Sequence, residues 1–442
     1  MLDSGAMSSH FSRRLPWPVR PNALSRTRAQ LLAEGRDLLD WSDSNPRHAL
    51  PLEGLGAMDL ALLFSEEANQ GYEPDPRGLL RAREALALRS AGRRPTSGAR
   101  RDLDPDRYFL TASTSEAYGW LFKLLCDPGD AILVPSPGYP LFEYLAGLEG
   151  VDALPWRLEY LHPHGWCVDF ESIEEGLRAG REGRAPRVRA IVLINPNNPT
   201  GSYIARDERE RIVSIAEREG LALIVDEVFF DFAVEGAGRS FEGEDSVLTF
   251  VLDGLSKGSG LPQLKLGWIG ASGPSLLLEE AMERLEIIAD SYLSAGTPVM
   301  NALPALLKAT PAFSEALRRR LAANLAALRR GLEGPSSPHR VYRCEGGWTA
   351  LIESPHYFDE EETALRLLRE AGLWVQPGHF FDMEKESVFA ASLILPEARF
   401  ADGIRRYAAW FASEGLPHGG PEGGRAGGPD GRPADGPHGG AA

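Results

Sequence analysis

The apolar positions of this chain fall into short unbroken runs set between longer amphipathic stretches. Residues 130–134, 188–194, 221–225, 247–252 and 264–269 have the length and aliphatic content of buried strands. Residues 23–39, 141–149 and 206–220 carry helical periodicity, and a helix starts near residue 78. The segment 108–126 passes from a short strand into a helix. Residues 275–332 read as helical throughout, with one long run over 313–332. Beyond them come strand-like segments at 342–344, 348–352, 374–376 and 388–395, with helices over 360–371 and 397–414. Apolar strands alternating with helices predict an α/β fold: a mostly parallel sheet covered on both faces, followed by a smaller α/β unit. No internal repeat is visible.

The polar residues that punctuate this pattern carry the candidate chemistry. In such sheets ligands bind beyond the carboxyl ends of the strands. Ser113, Tyr139, Asn198, Asp226 and Lys257 all fall at or just past a predicted strand end. Lys257 sits on a short glycine-loosened loop between two apolar runs, with Lys265 eight residues on. It is either a solvated loop lysine or an amine held at the edge of a core, where desolvation eases loss of its proton and prepares it to form a Schiff base with a carbonyl cofactor. The hydroxyl-rich junction at 111–116 is a helix N-terminus, with Ser113 or Thr114 as cap and Glu116 in the first turn. It is a plain cap or an anion site. Tyr139, fixed by prolines and a glycine, is a surface aromatic or a stacking platform for a flat ligand. Asp226 ends a buried strand and requires a cationic partner, such as a protonated heterocyclic nitrogen.

Composition narrows the classes. The chain has 442 residues, 43% hydrophobic and 25% charged, the balance of a globular protein. A formal net charge of −16 argues against a general nucleic-acid or anionic-membrane surface. Cys126, Cys167 and Cys344 lie far apart, without metal-ligand spacing, which fits a reducing compartment. No apolar stretch is long enough to span a bilayer, and no apolar run follows Arg13 and Arg14, so the expected location is cytoplasmic. Residues 1–22 read as a flexible segment and 415–442 as a disordered glycine- and proline-rich tail.

Taken in order, the strings YEPDPRGLLRAREALA, TASTSEA, SPGYP, NPNNPTG, DEVFFDF, GLSKGSGLPQLKLGWIG and VQPGHFF resemble the fold type I pyridoxal-phosphate enzymes, specifically the class I/II aminotransferases, over roughly residues 35 to 412. The resemblance implies a large cofactor-binding domain over 51–332 with a mostly parallel, seven-stranded-type sheet sandwiched by helices, and a small α/β domain from 23–50 and 333–414. It implies an internal aldimine between Lys257 and pyridoxal 5'-phosphate, with the freed amine later moving the proton between substrate Cα and cofactor. Asp226 would pair with the pyridinium nitrogen and Asn198 would donate to the ring oxygen. Tyr139 would stack on the ring, and Ser113, Thr114, Ser256 and Lys265 would hold the phosphate. Tyr72 would reach the cofactor of a neighbouring subunit, implying a homodimer with shared sites. The implied activity is transfer of an amino group from an amino acid or amine donor to a 2-oxo acid.

Three positions depart from the family pattern. Phe229 stands where many relatives have a tyrosine, which predicts a raised pKa for the cofactor's Schiff base. Lys265 stands in place of an arginine. Ala390 falls where an arginine usually clamps the substrate carboxylate, and residues 387–396 contain none. Arg47, beside Asn45 in the SNP loop, and His379 are the candidate replacements. The same cofactor residues also suit a carbon–sulfur lyase or another biosynthetic enzyme of this fold. A transcription regulator would need a DNA-binding domain ahead of the fold, and only about forty residues precede the SNP loop.

Overall fold

The computed structural model describes residues 21–49, 64–93 and 104–414, with 12, 14 and 61 besides. The flexible segment and the C-terminal tail expected from the sequence lie almost wholly outside the described residues. The strands are β1 (Leu39–Asp40), β2 (Tyr108–Thr111), β3 (Ala131–Ser136), β4 (Asp152–Leu161), β5 (Gly165–Val168), β6 (Val188–Ile194), β7 (Ala222–Asp226), β8 (Thr249–Gly254) and β9 (Gly267–Ser272). Then follow β10 (Arg340–Val341), β11 (Thr349–Glu353), β12 (Leu373–Trp374), β13 (Gln376–Pro377) and β14 (Val388–Ser392).

The large sheet has eight strands in the order β2-β9-β8-β7-β6-β3-β4-β5. Strands β8, β7, β6, β3 and β4 run parallel, whereas β9 is antiparallel to both neighbours and β5 returns antiparallel on β4. The β4–β5 hairpin supplies the strand beyond the seven expected. Both faces are covered, as unbroken apolar strands require. One face packs Ile132, Val192 and Ile224 with Leu121 and Leu285, and the other packs Leu133, Ile191 and Leu223 with Ile173 and Ile212. A four-stranded antiparallel sheet, β10-β11-β14-β13, forms the smaller unit. The helix Thr297–Leu332 joins the two. Leu303 and Leu306 pack with the β2–β9 edge of the large sheet, whereas Leu321 and Leu328 pack with Ile352 and Phe389 of the small one.

Three sequence expectations shift for identifiable reasons. Lys257 lies on a one-turn helix, Leu255–Gly258, instead of an irregular loop. The strand expected over 264–269 begins only at Gly267, because Pro262–Leu264 forms a 3-10 turn and Lys265 takes φ 51°. The strand expected over 374–376 is split, because the chain leaves β12, paired with β1, and joins β14 through β13. Among the described residues no helix is long and apolar enough to cross a membrane.

Candidate active site

Parallel strands place their following loops on one edge of the sheet, and these loops meet the small sheet around a cavity of about 250 Å³. Thr114 and Ser115 enter after β2, Tyr139 after β3, Asn198 after β6, Asp226 from the end of β7, and Ser256 with Lys257 after β8. Trp348, Thr349, Gln376, Ala390 and Ser392 line it from the small unit. A larger cavity, about 350 Å³, lies at the other end of β9 beside Ser272 and contains none of the candidate residues.

Asp226 is the electrostatic centre of this site. Burial pushes its carboxyl up to about 6, and the Val228 N–H and Tyr118 O–H that donate to it pull it back down. Those bonds measure 3.0 Å to Oδ1 and 3.1 Å to Oδ2. Asp253 adds an upward push and Lys257 a downward one. Burial lowers the Lys257 pKa, partly offset by Asp226. Its Nζ stands 5.1 Å from the Trp348 ring centroid and 5.6 Å from that of Phe229. Sequence reasoning missed Tyr118. The signal was available, since Tyr118 lies four residues after Thr114, on the same helix face.

The helix Thr114–Leu125 begins against this cavity. Ser113 Oγ accepts from Glu116 N–H at 3.2 Å, and the Glu116 carboxylate accepts from Ala112 N–H at 2.7 Å. This reciprocal cap leaves the Thr114 and Ser115 N–H groups, which have no intrahelical acceptor, facing a site suited to an anion. The Ser113 hydroxyl serves the cap and does not line the cavity, whereas Thr114 and Ser115 do. Gly267 makes the approach possible, because a Cβ there would lie 3.0 Å from Thr114 N.

The structure brings together Thr114, Tyr139, Asn198, Asp226, Ser256 and Lys257. Tyr139 is half-buried, edge-on to Phe142 at 5.8 Å, and Asn198 Oδ1 accepts from Thr349 Oγ1 at 3.4 Å. Lys265 is exposed and does not line the cavity, and Tyr72 is 72% exposed on this single chain. Asn45 Oδ1 accepts from Arg47 N–H at 3.0 Å, and neither side chain lines the cavity; Ser42 and Ser44 of the same loop do. His379 Nδ1 lies 2.7 Å from Glu360 Oε2, so its imidazole is engaged away from the cavity.

The set fits pyridoxal phosphate. A buried carboxylate can hold a protonated ring nitrogen, a half-buried amine of lowered pKa can react with an aldehyde, and a helix N-terminus with flanking hydroxyls can hold a phosphate. Among the described residues no cluster suits a metal ion.

The family model "Aminotransferase class I and II" matches residues 36–390. An alanine aminotransferase of Mycobacterium tuberculosis is 29% identical over 330 residues, covering 70% of this chain and 73% of that one. A glutamate-pyruvate aminotransferase of Escherichia coli is 29% identical over 248 residues, covering 56% and 58%. Among solved structures, an alanine aminotransferase from Pyrococcus furiosus shares the fold with a TM-score of 0.79 at 23% identity, covering 91% of this chain and 100% of that one. A mutant of Thermus thermophilus aspartate aminotransferase gives 0.74 at 25% identity, covering 90% and 99%.

Proposed function

The chain belongs to the class I and II aminotransferases, and from that premise we propose that it performs its transamination with pyridoxal 5'-phosphate held in the cavity around Lys257 and Asp226. The observation that carries this reading is the pair itself: a half-buried amine whose pKa is lowered and a buried carboxylate whose pKa is raised, in one cavity next to a helix N-terminus. When bound, the cofactor supplies an aldehyde and an electron-withdrawing ring.

The chain's own residues do the rest. Lys257, whose amine gives up its proton more easily because burial lowers its pKa, takes the proton from substrate Cα and returns it to the neighbouring carbon. Asp226, oriented by Tyr118 and Val228, holds a proton on the ring nitrogen. Asn198 donates from Nδ2 to the ring oxygen, since its Oδ1 already faces Thr349. Tyr139 covers one ring face, and Phe229 and Trp348 exclude water near the amine. Thr114, Ser115 and Ser256 hold the phosphate, with Ser113 fixing the helix start and Lys265 adding charge from outside. The large body, residues 51–332, carries this machinery; 23–50 with 333–414 forms the substrate side.

The donor is an amino acid or amine and the acceptor a 2-oxo acid. The names of the relatives point to alanine, glutamate and pyruvate as first substrates to test. The exposed Tyr72 supports a homodimer in which it meets the partner's cofactor. The test is an absorbance spectrum with pyridoxal phosphate, repeated while amino acids are added singly without acceptor. A visible band that a donor bleaches, leaving bound pyridoxamine phosphate, supports the reading. Pyruvate and thiol released from a sulfur amino acid would instead favour a lyase, and no visible band at all would overturn the role of Lys257.

A further inference from the structure

The small-sheet wall of the cavity carries an unmatched hydroxyl. Ser392 is 4% exposed, lines the cavity, and its Oγ has no hydrogen-bond partner. A buried hydroxyl left unpaired is unfavourable unless a ligand completes it. The strand register shows what surrounds it. Ser392 pairs with Thr349 on β11, Ala390 pairs with Gln376 on β13, and residues two apart on β14 share a face. Thr349, Gln376, Ala390 and Ser392 therefore present one face to the cavity, and with the Thr349 hydroxyl donating to Asn198 Oδ1 this leaves the Ser392 hydroxyl and the Gln376 amide to meet a ligand beside the Ala390 methyl. Among the described residues lining this cavity, Lys257 is the one cation.

We propose that Ser392, with Gln376, receives the polar group on substrate Cα through neutral hydrogen bonds, so the site takes amino acids, their amides and the corresponding amino alcohols alike. This rests on the transaminase reading of the same cavity. The physical reason is one of selectivity. A guanidinium answers a carboxylate with charge and a two-pronged geometry, and so rejects a neutral analogue strongly. Hydroxyl and amide donors bond a carboxylate more strongly than a carbonyl or a hydroxyl, but with no cation facing it the carboxylate also loses more hydration on entry, so the two differences offset and the net discrimination is about tenfold or less.

The test uses three probes that differ only at that group: 2-methylalanine, 2-methylalaninamide and 2-amino-2-methylpropan-1-ol. None has a hydrogen on Cα, so none can complete transamination. Each dissociation constant is read from the change in absorbance of the cofactor-loaded enzyme. The expected constants lie within tenfold of one another. Ser392→Ala is expected to weaken all three by about tenfold while leaving cofactor affinity unchanged and the melting temperature no lower. A 2-methylalanine constant more than tenfold tighter than that of the alcohol overturns the proposal. So does a Ser392→Ala protein with unaltered constants, or an Arg47→Ala protein that loses affinity for the acid alone. Binding of none of the probes also overturns it. Bleaching by L-alanine or L-glutamate, which do carry the Cα hydrogen, reports separately on the transaminase reading.

Discussion

Replacing Tyr118 with phenylalanine removes one oxygen atom and tests how Asp226 is held. In the folded chain this carboxyl sits at about 6, against an ordinary 3.8. A folded pKa above the unfolded one means that this group's contribution to stability is fully present below about pH 4. It declines by about 3 kcal/mol as the pH rises through 6. The Tyr118 hydroxyl opposes that decline by donating to the ionised form at 3.1 Å. A hydrogen bond to a buried charge is worth about 1.5–3 kcal/mol, so Tyr118→Phe should move the carboxyl up by a further ~1–2 pH units. The substitution should therefore destabilise the cofactor-free protein by about 1.5–3 kcal/mol at pH 8. At pH 5, where the carboxyl is already largely protonated, the loss should be about 1 kcal/mol. Urea unfolding at both pH values, at one fixed protein concentration, measures the difference. Asp226→Asn serves as the control, because it should flatten this part of the pH dependence. Equal destabilisation by Tyr118→Phe at both pH values would refute the reasoning and leave the tyrosine a packing role alone.

The other expectations follow from the same geometry. Lys257→Ala should lower the rate of donor bleaching by at least ~10²–10⁴-fold, and small primary amines added to the assay should restore part of it; full activity without them would exclude the lysine as proton carrier. Phe229→Tyr adds a hydroxyl to a ring 5.6 Å from Lys257 Nζ and should lower the midpoint of the bound cofactor's visible pH titration by about 1–2 units. An unchanged midpoint would mean that the hydroxyl does not reach the cofactor. Gly267→Ala drives a methyl to 3.0 Å from Thr114 N, so it should weaken phosphate and pyridoxal phosphate binding together, by about tenfold or more, as read by equilibrium dialysis. Lys265→Ala should weaken cofactor binding by about tenfold or less and reduce its salt dependence, since an exposed lysine contributes a screened charge.

The large sheet was legible because its strands are unbroken apolar runs whose polar punctuation falls at their carboxyl ends. Val188–Ile194 coincides with its predicted run, and Lys257, Asp226 and Asn198 meet in the cavity as that shared placement predicts. What the sequence hid depends on contacts between distant segments. Ser392 sits in an apolar strand and reads as filler until its register with Thr349 is known. Gln376 lies where the chain changes sheets, and two-residue strands leave no period to detect. The β4–β5 hairpin was missed because its ten-residue strand mixes exposed and buried positions around Pro155. Ser113 was given the phosphate by the family resemblance, while its own sequence context left a cap or an anion site open; in the structure its Oγ accepts from Glu116 N–H as the cap.

The helix Thr297–Leu332 carries Pro304 within the half that packs on the large sheet and Pro311 at the junction with the half that packs on the small one. Pro311 cannot donate to the helical ladder, so the shaft loses a hydrogen bond where the two cores hand over. Each core can therefore be rebuilt with little penalty to the other. Changes confined to β11, β13 and β14 would resample which compounds are admitted, while the proton-moving residues stay on their own foundation. In a library of variants this chain should behave as two nearly independent mutational landscapes that share one cavity.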